Sequence, residues 1–234
     1  MIKSLIFILN CYTKYMQLSK RIFNLETETA FSILAKANEL ASRGKDIINL
    51  GIGQPDFVTP INIQEAAIKA IKDGKHGYTP SNGIPELRAA VSDMLYKDYS
   101  ASIDPDNILI TPGGKPVIFI SALIFGNTDS EIIYPDPGFP IYRSMIKYSG
   151  AKPVPLFLEE EDNFEINIDK LKKLINNKTK LIIINNPNNP TGSFMKKEKI
   201  DKIVSLLEQF PNLYILSDEI YSKIIFDNIQ MPSF

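Results

Sequence analysis

The residues best suited to chemistry stand just past the ends of two apolar runs. Asn185-Asn186-Pro187-Asn188-Asn189-Pro190-Thr191-Gly192 follows Leu181-Ile182-Ile183-Ile184, and Ser217-Asp218-Glu219-Ile220-Tyr221 follows Leu213-Tyr214-Ile215-Leu216. Runs that are apolar throughout read as strands buried on both faces, as in parallel sheets. Polar residues at the C-terminal ends of such strands sit where open α/β sheets bind ligands. An amide, a carboxylate and a phenol delivered there by successive strands give one small molecule hydrogen-bond donors, an acceptor and a fixed charge. Each also has a plainer reading. Asn189-Pro190-Thr191-Gly192 has the composition of a turn, and Asp218-Glu219 suits a helix N-cap with an acid in the first turn.

Two further loops carry candidate chemistry. Thr111-Pro112-Gly113-Gly114-Lys115-Pro116 lies between an expected strand and an expected helix. Glycines there permit a sharp turn, and helix-terminal amides beyond it can hold a phosphate. The alternative is a simple turn, and the glycine spacing fits neither a Walker A loop nor a dinucleotide fingerprint. Tyr134-Pro135-Asp136-Pro137-Gly138-Phe139-Pro140-Ile141-Tyr142 also follows a strand. Its prolines stiffen a loop that either tucks an aromatic into the core or offers an aromatic plate to a planar ligand.

The elements that must position these loops alternate regularly. Helices are expected at about 28–43, from Thr59-Pro60 to Gly74 with Thr59 as N-cap, and from Pro85 to about Tyr96. A short strand is expected at Ile47–Leu50, leading into Gly51-Ile52-Gly53-Gln54-Pro55-Asp56-Phe57. From there strand and helix alternate: Asn107–Thr111, Lys115–Phe125, Glu131–Tyr134, Gly138–Tyr148, Lys152–Leu158, Ile168–Ile175, then the two strands above around a helix from Lys196 to Phe210. Pro153 and Pro155 place the Lys152 strand at an edge or make it irregular. The series predicts an α/β protein, a three-layer α/β/α fold with a mostly parallel sheet.

The bulk composition excludes several classes. Among 234 residues, 44% are hydrophobic and 23% charged, with a formal net charge of −1. That balance points away from nucleic acid or an anionic membrane as a partner. Cys11 is the sole cysteine, so there is no internal disulfide, and a reducing cytoplasm is expected. His76 is the sole histidine, so a His-rich metal site is not available. Leu5–Leu9 is too short to span a membrane. Residues 1–17 are expected to form a disordered leader, with Met16 a candidate start.

Taken in order, the motifs resemble one family. Gly-Gln-Pro-Asp-Phe, Gly-Tyr-Thr-Pro-Ser-Asn-Gly-Ile-Pro-Glu-Leu-Arg, Pro-Gly-Gly-Lys, Pro-Asp-Pro-Gly-Phe-Pro, Asn-Asn-Pro-Asn-Asn-Pro-Thr-Gly and Ser-Asp-Glu-Ile-Tyr resemble the class I aminotransferases, pyridoxal-phosphate enzymes of the aspartate aminotransferase fold. The resemblance runs from about residue 18 to the end. It implies that Asp218 pairs with the ring nitrogen of the cofactor, and that Asn189 and Tyr221 reach its phenolic oxygen. Phe139 would stack on the ring, and Gly113, Gly114 and Lys115 would form the phosphate turn, chiefly through backbone amides. Tyr78 would reach the phosphate held by a second subunit, implying a homodimer, and Gly53 would lie near the substrate carboxylate.

The resemblance also implies a boundary. The family's Schiff-base lysine lies roughly thirty residues beyond the matching Asp, and this sequence ends at Phe234. Lys223 follows Tyr221 too closely to take that place and reads as a solvated surface charge. The expectation is an N-terminal arm and part of the small domain over 18–62, an incomplete cofactor-binding domain over 63–234, and no C-terminal domain. The implied activity is transfer of an amino group between amino acids and 2-oxo acids, with no catalytic lysine in this chain and no turnover by it alone. The alternatives are an inactive truncated fragment, half of a split enzyme completed by a separate C-terminal polypeptide, or a related lyase or synthase on the same scaffold.

Overall fold

The computed structural model describes residues 18–25, 29–227 and 229–234; the expected leader over 1–17 lies outside them. The described residues divide into two compact units, one of 18–25 with 114–234 and the other of 29–113. The boundary expected at residue 62 falls inside the second unit.

The first unit is a parallel α/β sandwich. Its strands are β1 (Glu131–Asp136), β2 (Lys152–Phe157), β3 (Thr179–Asn185) and β4 (Tyr214–Asp218), in the order β2-β1-β3-β4. All three pairings are parallel. Side chains alternate across the sheet and serve two cores. Ile132, Tyr134, Leu181 and Ile183 face Ile118 of helix α4 (Lys115–Phe125) and Tyr142 and Ile146 of α5 (Ile141–Ser149). Ile133, Ile182 and Ile184 face Leu171 of α6 (Ile168–Leu174) and Ile200, Ile203 and Leu206 of α7 (Lys197–Leu207). Helices therefore cover both faces, which is why the centres of β1 (Ile132–Tyr134) and β3 (Leu181–Ile184) are apolar without a break. Strand β2, with its two prolines, is an edge strand of the described sheet, where a missing N–H costs no ladder bond.

The second unit is built from helices α1 (Thr29–Ser42), α2 (Ile61–Lys72) and α3 (Pro85–Tyr99), with a single 3₁₀ turn at Pro105–Asn107. Arg88 of α3 is 9% exposed and donates through Nη1 to the Pro105 carbonyl and the Asp106 carboxylate, both at 2.8 Å, tying the turn to the helix.

Four expectations are corrected here. Neither Ile47–Leu50 nor Asn107–Thr111 is a strand. Asn107 closes the 3₁₀ turn; for the rest, a strand requires a neighbour, and no ladder forms among the described residues of this unit. Ile48 and Leu50 are 86% and 91% exposed, and Ile110 makes one isolated backbone bond to the Asn82 carbonyl. Helix α2 starts one residue later than expected, because Pro60 rather than Thr59 is its N-cap. The Pro60 carbonyl accepts from Gln64 N–H, closing the first helical turn. The expected helix from Gly138 begins at Ile141. Gly138 instead passes so close to Pro135 that an added Cβ would lie 2.2 Å from the Pro135 carbonyl oxygen.

No helix among the described residues is long and apolar enough to cross a membrane.

Candidate functional site

The first unit contains a cleft of about 210 Å³ at the C-terminal end of its sheet. Gly114, Lys115, Phe139, Asn189, Asp218 and Tyr221 line it, and so do Ile118, Tyr142, Asn185 and Ile220. Four connections converge there: the entry to α4, the loop between β1 and α5, the loop that leaves β3 and the loop that leaves β4.

Strand register brings the polar groups together. Asn185 and Asp218 are directly paired at the ends of β3 and β4. The Asn185 amide donates to the Asp218 carbonyl at 2.9 Å, and its Oδ1 accepts from Asn189 N–H at 2.8 Å. Asn185 thus fixes the turn that presents Asn189. The Asn189 side chain in turn donates from Nδ2 to Tyr221 Oη at 3.1 Å. The asparagine run has internal work as well. Asn186 Oδ1 accepts from Met195 N–H, and Asn188 Nδ2 donates to Thr191 Oγ1, both at 2.8 Å. Buried polar groups need such partners; these bonds occupy Asn186 Oδ1 and the Asn188 amide, while the buried Asn188 Oδ1 has none.

Asp218 is held from two sides. Tyr142 Oη donates to its Oδ2 at 2.6 Å, and Ile220 N–H reaches its Oδ1 at 3.3 Å. The Tyr142 phenol is 1% exposed. Burial, then the negative charge of Asp218, then the hydrogen bond to it hold the phenol's pKa far above its ordinary value. The Phe139 and Tyr142 rings meet edge to face, with centroids 5.8 Å apart at 89°. Lys115 Nζ stands 5.8 Å from the Phe139 ring centroid, a distance at which the ring face attracts a cation.

Helix α4 opens at this cleft. Gly114 is its N-cap, and Pro116 lies in its first turn, where a missing N–H is harmless. Gly113 has φ +86°, a conformation that only glycine adopts cheaply. Gly113 closes the second unit, to which Tyr78 and Gly53 also belong. Within that unit Tyr78 is fully exposed, and nothing described approaches the position a Gly53 Cβ would take.

Tyr142, Asn185, Ile118 and Ile220 are cleft residues that the sequence motifs did not assign to a site. For Tyr142 the signal was its place three residues after Phe139 in a proline-stiffened loop. For Asn185 it was its position as the last residue of an apolar strand. Ile118 and Ile220 carry no signal that separates them from ordinary core or surface apolar residues.

Comparison with known proteins places this arrangement. Residues 45–233 match the family described as aminotransferase class I and II. The chain is 44% identical over 182 residues to a probable aspartate aminotransferase of Methanocaldococcus jannaschii, covering 78% of this chain and 48% of that protein. It is 35% identical over 216 residues to a probable aspartate/prephenate aminotransferase of Aquifex aeolicus, covering 92% and 55%. Among solved structures, aspartate aminotransferase from Thermus thermophilus with maleate superposes with a TM-score of 0.89 at 31% identity, over 93% of this chain and 56% of that one. The chain spans about half the length of the curated relatives it matches. The family is pyridoxal-phosphate dependent. With the family matched over residues 45–233 and the fold shared over 93% of the chain, the chain belongs to the aminotransferase class I and II family.

Proposed function

We propose that this chain supplies the cofactor-holding part of an aminotransferase, which moves an amino group between an amino acid and a 2-oxo acid through pyridoxal phosphate. The observation that carries this reading is the placement of Asp218 and the Asn189–Tyr221 pair around one cleft.

The donor set suits the group. Tyr142 gives its single proton to Asp218, so Asp218 serves there as an acceptor with lone pairs left for a ring N–H. Asn189 has a second amide hydrogen beyond the one given to Tyr221, and Tyr221 has its own phenolic proton. One acceptor and two donors lining one cleft match a ring with a protonated nitrogen and an anionic oxygen. Phe139 offers the face, and Gly113, Gly114 and Lys115 offer the turn for the phosphate.

When bound, the cofactor's protonated ring supplies an acceptor for the electrons released as the substrate's Cα–H bond breaks. Asp218 keeps that nitrogen protonated by lending it a negative charge. Asn189 and Tyr221 would favour the ionised oxygen, and the buried Ile118 keeps part of the cleft wall apolar.

Finer features are part of the same proposal. Gly53 would lie close to the substrate carboxylate. Tyr78, fully exposed in its own unit, would serve the cofactor of a second subunit in a homodimer. Strand β4 has β3 on one side and no described strand on the other, and Tyr214 on it is 56% exposed. That free edge supports pairing with a further strand, from this protein's continuation or from a separate polypeptide. A cytoplasmic setting is in keeping with the single cysteine.

Pyridoxamine 5′-phosphate tests the reading, because it lacks the aldehyde that would react with surface lysines. Equilibrium dialysis should show saturable binding to the purified chain, weakened at least tenfold by Asp218→Ala. Absence of saturable binding, or equal binding by Asp218→Ala, refutes the assignment.

A further inference from the structure

We propose that Tyr142 is a positioning residue that sets both the edge contact and the face contact of the bound cofactor ring, its hydroxyl holding the Asp218 carboxylate and its ring holding Phe139. This rests on the pyridoxal-phosphate reading given above.

The case begins with where the phenolic proton goes. Tyr142 sits in the first turn of α5 and is 1% exposed. A phenol has one proton to give, and this one goes to Asp218 Oδ2 at 2.6 Å, 76 residues away in sequence. That length belongs to charge-assisted O–H···O⁻ bonds. The other carboxylate oxygen takes Ile220 N–H at 3.3 Å. Each oxygen therefore has an anchor within the chain, and the carboxylate cannot rotate without breaking the Tyr142 bond. Two carboxylate oxygens offer about four acceptor sites, so the anchored group still accepts from a ring N–H.

The same side chain supports the plate. The Tyr142 ring meets Phe139 edge to face, and Tyr142 N–H donates to the Phe139 carbonyl at 3.1 Å. Phe139 is thus fixed by backbone and ring together. Since the phenol keeps its proton well beyond neutral pH, Tyr142 acts here as a permanent donor and not as a proton carrier. A tyrosine needed only to fill the core would gain nothing specific from aiming its hydroxyl at the one carboxylate that lines the cleft.

The test uses the full chain and two ligands: pyridoxamine 5′-phosphate, and its carbocyclic analogue with C–H in place of the ring nitrogen. Tyr142→Phe keeps the ring and removes the hydroxyl. It is expected to weaken pyridoxamine 5′-phosphate about tenfold (1.4 kcal/mol), while changing affinity for the analogue less than twofold. In an Asp218→Asn background the same step should change neither ligand by more than twofold. Equal weakening of both ligands would make Tyr142 a structural residue only and overturn the proposal, as would unchanged binding by Tyr142→Phe or an undiminished loss in the Asp218→Asn background. Failure of the unsubstituted chain to bind either ligand would overturn the cofactor reading and this proposal with it. Failure confined to the variants leaves the cofactor reading standing.

Discussion

The buried Tyr142 phenol should make this fold lose stability in alkali, by an amount that can be worked out in advance. In the folded chain the proton is held far above the ordinary tyrosine range, by burial and by Asp218 beside it. In the unfolded chain the phenol ionises near pH 10. A group whose pKa is raised by folding stabilises fully below the unfolded value, and that contribution is lost as pH climbs beyond it. From pH 10 to pH 11 the unfolded state gains about 1 kcal/mol from releasing this one proton, while the folded state gains nothing. Other tyrosines and lysines titrate over the same range, so Tyr142→Phe is the reference that isolates the effect. Urea unfolding of both proteins at pH 8, 10 and 11 measures it. At pH 8 the unsubstituted chain should be the more stable, because a hydrogen bond to a charged partner contributes about 1.5–3 kcal/mol. That advantage should shrink by about 1 kcal/mol between pH 10 and 11. An advantage that stays constant or widens would show that the phenol ionises readily in the fold, and would refute the buried, carboxylate-bound geometry.

Two further outcomes follow from local geometry. Gly138→Ala places a methyl 2.2 Å from the Pro135 carbonyl oxygen, so the loop carrying Phe139 must shift. The variant should remain folded by circular dichroism but bind pyridoxamine 5′-phosphate several-fold more weakly, and unchanged affinity would contradict the tight passage. Glu131 has its pKa lowered by hydrogen bonds from Asn176 and then Lys152. Its contribution is present above the ordinary glutamate value and lost as pH falls through the lowered one. Acid unfolding of Glu131→Gln should therefore show a shallower loss of stability below about pH 4.5 than the unsubstituted chain, and an identical slope would count against those contacts.

The sequence was most legible where structure is decided locally. Leu181–Ile184 is apolar without interruption, and a run of that kind has little choice but a strand covered on both faces. Lys115–Phe125 was legible to the residue, because Gly114 before it and Gly126 after it mark both ends. The errors came where a distant partner decides. Ile47–Leu50 has the composition of a strand but no neighbour to pair with. The same holds for the cleft. Asn189, Phe139, Asp218 and Tyr221 stand out by type and by position after strands. The bond from Tyr142 to Asp218 depends on α5 crossing the sheet toward β4, and no spacing in the sequence announces it. Asn185 was hidden for a related reason: it reads as the first letter of a turn, whereas the register with β4 makes it the brace between two strand ends.

That register has a consequence for how the protein comes to be correctly built. Because side chains alternate along a strand, a slip of one residue between β3 and β4 would send Asp218 to the opposite face of the sheet. It would also separate Asn185 from the carbonyl it now holds. Such a slipped sheet still buries isoleucines on both faces, so hydrophobicity alone discriminates against it weakly. A small molecule gripped by Asp218 and Asn189 together recognises only the in-register form, and stabilises that form in proportion to its own concentration. The ligand would then proofread the sheet, and its supply during synthesis would influence how much of the chain reaches the correct pairing.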